Sequence, residues 1–322
     1  MTRTRRKFLK YMAAGTATSF GLTFYWVSTS KRWAAKFTRQ LLADAKRNVT
    51  PAPVTPKPLT WSDNAVSMAW IGHSTMLINF YGVRILTDPV FGSRIGVNIG
   101  IGTVGIKRYV APALQIKDLP PIDLVLLSHA HMDHMDLGSL NRLSKVPLTV
   151  TAKLTKDVIK GVGFKEVREL GWGEDTVLKS SKGDLAISAF EVRHWGQRWP
   201  KDIERGYNGY ILKREGKSIL FGGDTADTPL LGELHSKGPF DVAIMPIGAY
   251  QPWVRSHCTP EQALAMANAA GARYFVPVHH QAFKLSEEPM NEPIERLQVA
   301  ISKEPERLAL KQVGESFVLP KA

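Results

Sequence analysis

From Val66 onward the chain alternates short apolar runs with turn residues. Residues 66–80 (VSMAWIGHSTMLINF) and 83–91 (VRILTDPVF) flank Tyr81-Gly82 and predict a hairpin, since two apolar runs parted by a two-residue turn pair antiparallel. Residues 122–130 (IDLVLLSHA) are apolar almost without a break, the pattern of a strand covered on both faces. Further strands are predicted at 185–195 (LAISAFEVRHW), at 209–224 (GYILKREGKSILFGGD, with a turn inside KREGK), at 240–248 (FDVAIMPIG) and at 273–280 (RYFVPVHH). Two segments carry helical signals instead. Residues 259–272 (TPEQALAMANAAGA) open on Thr259 as N-cap with Pro260 at the first helical position, and stop at Gly271. Residues 291–303 (NEPIERLQVAISK) are amphipathic. Strands and helices mix throughout, so the pattern predicts an α/β fold with two mixed sheets and outer helices.

Upstream of Val66 the pattern changes. Residues 37–60 read as a polar helical segment followed by a semi-rigid linker, with Pro51, Pro53, Pro56 and Pro58 inside eight residues. Residues 1–36 form a leader: TRRKFLK at 4–10, then twenty uncharged residues, 11–30. The pair Arg5-Arg6 followed by Phe8, Leu9 and Lys10 resembles a twin-arginine export signal. That resemblance implies passage through the twin-arginine export machinery. The chain would then be periplasmic, or anchored in the inner membrane facing the periplasm, because twenty uncharged residues suffice to cross a bilayer. The body is therefore 61–322, one large domain or two small ones in length.

Charge and cysteine content narrow the function classes. The net charge of +13 suggests an anionic partner, but eight basic residues lie in 1–36. Without them 34 basic residues face 29 acidic ones, so the body carries only +5, which disfavours nucleic acid. A single cysteine, Cys258, excludes an internal disulfide framework.

The candidate chemistry is concentrated in LLSHAHMDHMD, residues 126–136. Of nine histidines in the chain, His129, His131 and His134 fall within six positions, with Asp133 among them. Imidazole and carboxylate together suit Zn²⁺ and its neighbours. Four donors on one loop would close a structural site. More candidates follow at the ends of predicted strands, His129, His194, Asp224 and His279, where sheet-based folds cluster ligands along one edge. The donor number therefore predicts two metals. Two divalent cations about 3.5–4 Å apart can activate water at neutral pH and clamp a phosphodiester.

SHAHMDHMD resembles the His-x-His-x-Asp-His motif of the metallo-β-lactamase superfamily. Over roughly residues 60–320, the stretches WIGHSTMLI, LTDPVFGSR, LPPIDLVLLSHAHMDHMDL, RHWGQR, GGDT, GPFDVAIMPIGAYQPW and GES resemble its N-acylphosphatidylethanolamine-hydrolysing phospholipase D family. The resemblance implies an αβ/βα four-layer sandwich and two Zn²⁺ per chain. One ion would be held by His129, His131 and His194, the other by Asp133, His134 and His279, with Asp224 bridging. The last ligand falls in PVHHQAF, where the family pattern selects His279 over His280, although Gln281-Ala282 replaces the usual Gly-Thr. Asp88, in LTDPVF, would hold a ligand histidine by hydrogen bond, and a turn before Pro89 is the rival role. His73 would face the metals from the first hairpin or else lie in the core. His257, in RSHCTPEQ, would orient a phosphate or donate a proton, and Asp133 would share in catalysis. Residues 91–109 and 248–256, rich in glycine and apolar side chains, could line an acyl groove. The expected activity is phospholipase D-type cleavage at a membrane surface. Lactone or other ester hydrolysis, and metal binding in the envelope without turnover, are the alternatives.

Overall fold

The computed structural model describes residues 44, 47–100 and 102–321. The export-type leader, and the predicted polar helix apart from Asp44, Arg47 and Asn48, lie outside those residues. The chain divides into two units, residues 1–48 with Trp199–Asp202, and Val49–Arg198 with Ile203–Ala322. In the first, Arg47 pairs with Asp44 at 2.8 Å, and the Asp202 amide donates to the Trp199 carbonyl. Everything below concerns the second.

That unit holds two mixed sheets. The first contains β1 (Val66–Gly72), β2 (Thr75–Phe80), β3 (Val83–Thr87), β6 (Leu124–Leu126), β7 (Leu148–Ala152), β8 (Val167–Leu170) and β15 (Ser316–Val318), ordered β15-β1-β2-β3-β6-β7-β8. Its β15-to-β3 half is antiparallel and its β3-to-β8 half parallel. The second contains β9 (Asp175–Leu178), β10 (Leu185–Phe190), β11 (Gly209–Arg214), β12 (Lys217–Phe221), β13 (Phe240–Pro246) and β14 (Ala272–Val278), ordered β14-β13-β12-β11-β10-β9. Here β12, β13 and β14 run parallel and the others antiparallel.

Period-2 alternation sorts each strand's side chains into layers. Met68, Trp70, Ile78, Phe80 and Leu126 of the first sheet meet Ile187, Leu212, Phe221, Ile244 and Val276 of the second in one core between the sheets. The opposite face of the first sheet, with Ile71, Leu77, Leu86 and Val125, packs on Leu140 and Ile159 of α1 (Leu137–Arg142) and α2 (Lys156–Ile159). The opposite face of the second, with Ile211, Leu220, Ala243 and Phe275, takes Leu231 of α3 (Leu230–Glu233), Ala263 and Ala267 of α4 (Pro260–Ala269), and Leu297 of α5 (Glu292–Ala300). The order helix, sheet, sheet, helix is the four-layer α/β sandwich. Thr259 caps α4 in a reciprocal box with Gln262, as its sequence predicts.

Two expectations need correction. Residues 66–80 form two strands, because Gly72 (φ 131°) and His73 (φ 55°) turn the chain back between β1 and β2. Residues 185–195 stop being strand at Phe190, so His194 lies on the following loop. The glycine-rich stretch forms its own hairpin, β4 (Arg94–Asn98) with β5 (Thr103–Lys107). Gly96 and Gly105 face each other there so closely that a Cβ on either would lie within 2.2 Å of the opposite carbonyl oxygen. At the start of the proline stretch, the Thr50 amide donates to the Tyr109 carbonyl and the Ala111 amide to the Thr50 carbonyl.

One polar side chain ties the layers near the site. The fully buried Tyr210 hydroxyl donates to the Leu127 carbonyl at 2.9 Å and accepts from Asn208 Nδ2 at 3.2 Å. Tyr210→Phe leaves both groups short of a partner. Chemical denaturation should register a loss of about 1–3 kcal/mol.

Candidate metal centre

The loop after β6 is built to hold its histidines rigidly. Ala130 and Met135 are buried anchors. The amides of His134 and Met135 both donate to the His131 carbonyl, closing a tight turn. Asp136 then caps α1 by accepting from the Ser139 amide. Arg198 spans the loop, donating to the carbonyls of Ala130 (2.6 Å) and Met135 (3.0 Å).

The hydrogen-bond partners decide which ring nitrogens face inward. Asp88, wholly buried at φ 33°, accepts from the Ser128 amide (2.7 Å), from Ser128 Oγ (2.6 Å) and from His134 Nδ1 (2.7 Å). Since a carboxylate only accepts, His134 keeps a proton on Nδ1, and its neutral ring presents a bare Nε2. With its own proton given to Asp88, Ser128 Oγ accepts from His129 Nδ1 at 2.9 Å, and His129 Nε2 is likewise bare. His194 Nδ1 donates to the Ser256 carbonyl at 2.8 Å, with the same result.

Two donor groups converge. In the first, His131 Nδ1 lies 2.8 Å from His129 Nε2 and 3.2 Å from His194 Nε2. In the second, Asp133 Oδ2 lies 3.0 Å from His73 Nε2, 3.3 Å from His279 Nε2 and 3.5 Å from His134 Nε2. Asp224 Oδ2 joins them: 3.1 Å from the Nε2 atoms of His134 and His279 and 3.8 Å from that of His194. One proton on His131 Nδ1 cannot serve both His129 Nε2 and His194 Nε2 well, whereas a cation between the donors would. Donors bound to one ion at 2.0–2.1 Å stand about 2.9 Å apart at right angles and about 3.3 Å apart in a tetrahedron. The observed separations fit that spacing, so a pair of divalent cations suits these residues.

Electrostatics agree. Burial drives His129 and His194 well below their usual range and His131 down to about 4, so all three are neutral donors at pH 7. Burial alone would do the same to His134 and His279, but the Asp224 and Asp133 carboxylates override it, raising His134 well above its usual value and His279 to about 9. Against their own burial, Asp133 and Asp224 stay ionised through these histidines. Protons on His134 and His279 stand where positive charge is wanted, and cations would displace them.

The structure thus brings together His129, His131, Asp133, His134, His194, Asp224 and His279, with Asp88 behind two of them and His73 among them. His257 lies at the edge, its Nδ1 3.8 Å from Asp224 Oδ2 and its ring stacked 5.3 Å from that of His279. His280 turns away and stacks on Trp70 at 4.4 Å. His73, Asp88 and His279 all hold left-handed backbone, a conformation costing on the order of 1–3 kcal/mol at a non-glycine residue and concentrated at functional sites. Sequence reasoning passed over three contributors. Ser128, inside the quoted motif, relays Asp88 to His129. Arg198, at the end of RHWGQR, braces the loop. Trp195, beside His194, lies with its ring tilted against that of His131 at 4.5 Å and is 38% exposed.

Comparison with known proteins follows the same lines. Residues 83–280 match the family model described as a beta-lactamase superfamily domain. The chain is 31% identical over 284 residues to an uncharacterised protein of Mycobacterium tuberculosis, spanning 84% of this chain and 74% of that one. It is 31% identical over 234 residues to the N-acyl-phosphatidylethanolamine-hydrolyzing phospholipase D 1 of Caenorhabditis elegans, spanning 68% of this chain and 64% of that one. Among solved structures, Igni18, a metallo hydrolase of the archaeon Ignicoccus hospitalis, superposes with a TM-score of 0.61 at 20% identity, over 80% of this chain and all of that one.

Proposed function

Because the chain belongs to the metallo-β-lactamase superfamily and is a metal-dependent hydrolase, we propose that it cleaves phosphodiesters with two zinc ions, acting in phospholipase D fashion on N-acyl ethanolamine phospholipids. The observation that carries this reading is the pair of convergent donor groups sharing Asp224. In it, His129, His131 and His194 would hold one ion and Asp133, His134 and His279 the other, with Asp224 contributing to both groups. Bound there, the ions supply concentrated positive charge and Lewis acidity to a phosphodiester.

The protein's own groups do the rest. Asp88 and Ser128 keep His134 and His129 in the tautomer that donates inward. Asp133 and Asp224 balance positive charge in a largely buried site. Burial lowers His257 to about 4, so at pH 7 its ring is neutral. A neutral ring keeps one N–H to orient a phosphate oxygen, and its other nitrogen can accept a proton. Trp195 at the mouth, with Val254 exposed on the loop leading to His257, offers an apolar rim for acyl chains. Such a rim supports a membrane-surface substrate, and the export-type leader supports a periplasmic place of work. No helix among the described residues is long and apolar enough to cross a membrane.

Full-length protein, loaded with zinc and given vesicles containing N-acyl phosphatidylethanolamine, is expected to release phosphatidate and N-acylethanolamine, and to hydrolyse bis-p-nitrophenyl phosphate. Turnover of lactones with neither diester cleaved would replace this reading with ester hydrolysis. Full metal loading without turnover of any ester would replace it with metal binding alone.

A further inference from the structure

We propose that His73 is itself a metal ligand, so that the two ions sit in unequal sites, one enclosed by five protein donors and the other left open. The inference rests on the metal centre proposed above and adds a residue outside the His-x-His-x-Asp-His motif and its usual partners.

Position is the first argument. His73 is buried in the turn between β1 and β2, and its Nε2 comes closer to Asp133 Oδ2 than that of His279 or His134 does: 3.0 Å against 3.3 and 3.5 Å. Asp133 Oδ2 thus has three imidazole nitrogens around it. One of them, on His134, is bare in the neutral ring, the form a metal binds, because Nδ1 keeps its proton for Asp88. Three nitrogens gathered on one carboxylate oxygen are better explained as neighbours in a coordination shell than as three hydrogen bonds to one atom.

Likeness to His279 is the second. Both residues hold left-handed backbone, at φ 55° and 63°. Their rings lie 4.2 Å apart, and the His279 amide donates to the His73 carbonyl at 3.1 Å. The same carbonyl accepts from Trp70 Nε1 at 2.7 Å. Each ring aims Nε2 at Asp133 and leaves a buried Nδ1 without a partner among the described residues. The main chain that sets one ring therefore also sets the other.

The donor count then differs between the sites. His73, Asp133, His134 and His279, with Asp224, give one ion five protein donors. His129, His131 and His194, with Asp224, give the other four. The less enclosed site is the one beside Trp195 and His257. It is where a substrate oxygen can enter, and the ion there is the more easily lost.

Metal content distinguishes these statements without recourse to activity. Wild-type protein loaded with two equivalents of zinc and challenged with chelator is expected to lose one equivalent quickly and the second slowly. In His73→Ala the slow phase should vanish, with affinity for the second ion weakened more than about 100-fold, beyond the 10–100-fold that loss of an orienting partner costs. His73→Gln, which restores an amide N–H near the Nε2 position, guards against misfolding and tests the rival role. If His73 only hydrogen-bonds Asp133, His73→Gln will hold both ions as the wild type does, and the cobalt-substituted absorption spectra of the two will coincide. That outcome overturns the inference. A spectrum shifted to lower coordination in His73→Gln, with circular dichroism unchanged, upholds it. A wild type that binds no metal overturns the underlying metal centre instead.

Discussion

Asp224→Ala is expected to lose at least one of two bound metals per chain and to cut diester hydrolysis by more than about 10³-fold, since removing a single oriented donor from a reaction centre already costs 10²–10³. The carboxylate stands between both donor groups, within 3.1 Å of His134 and His279 and 3.8 Å of His194. Without it the centre keeps one inward carboxylate, Asp133, against two dications. Asp224→Asn separates charge from shape: it preserves side-chain volume and one oxygen but removes the negative charge. Elemental analysis should find both variants depleted. An Asn variant retaining two ions and wild-type turnover would show that neutral oxygen suffices and that charge balance at Asp224 is unimportant.

The second large effect belongs to Asp88, which touches no proposed metal position. Its carboxylate accepts from the Ser128 amide, from the Ser128 hydroxyl and, at 2.7 Å, from His134 Nδ1. Asp88→Ala abandons three donors in a fully buried place. Breaking a buried charged hydrogen-bond set of this kind costs about 3–5 kcal/mol, and loss of the groups that orient metal ligands weakens metal binding 10–100-fold. Two measurements check this together: a lower denaturation midpoint for the metal-free variant, and a weaker zinc dissociation constant for the folded one. Asp88→Asn tolerates the left-handed backbone at φ 33° but turns one acceptor into a donor. It should therefore bind metal poorly while folding better than Asp88→Ala. Equal metal affinity in wild type and both variants would remove Asp88 from the account of the site.

The sequence was most legible where chemistry is local. Residues 129–134 announce their role by density alone, and strand ends pointed to Asp224 and His279. The family resemblance carried the four-layer fold, which the family match and the structure share. What periodicity could not give was direction. The run 66–80 hides a reversal at Gly72-His73, because both strands are buried on both faces and the short polar turn, His73 and Ser74, is buried with them. That concealment is why His73 read as an ambiguous core residue. Ser128 and Arg198 were invisible for a different reason: their work is done through a carboxylate forty residues upstream and through main-chain carbonyls, and neither partner marks the sequence. Periodicity did not mark the hairpin within 91–109, where Gly96 and Gly105 let two strands press backbone to backbone.

The two sheets keep separate hydrogen-bond ladders, and the donors hang from both: His129 to His134 from the first, Asp224 and His279 from the second. Ions gripped across that seam would act as a clasp. Opening the seam would then mean surrendering them, at a penalty that grows with their free concentration, about 4.1 kcal/mol at a thousandfold excess over the dissociation constant. How firmly this molecule stays shut is then partly a property of its surroundings, tightening where zinc is plentiful and slackening where it is scarce.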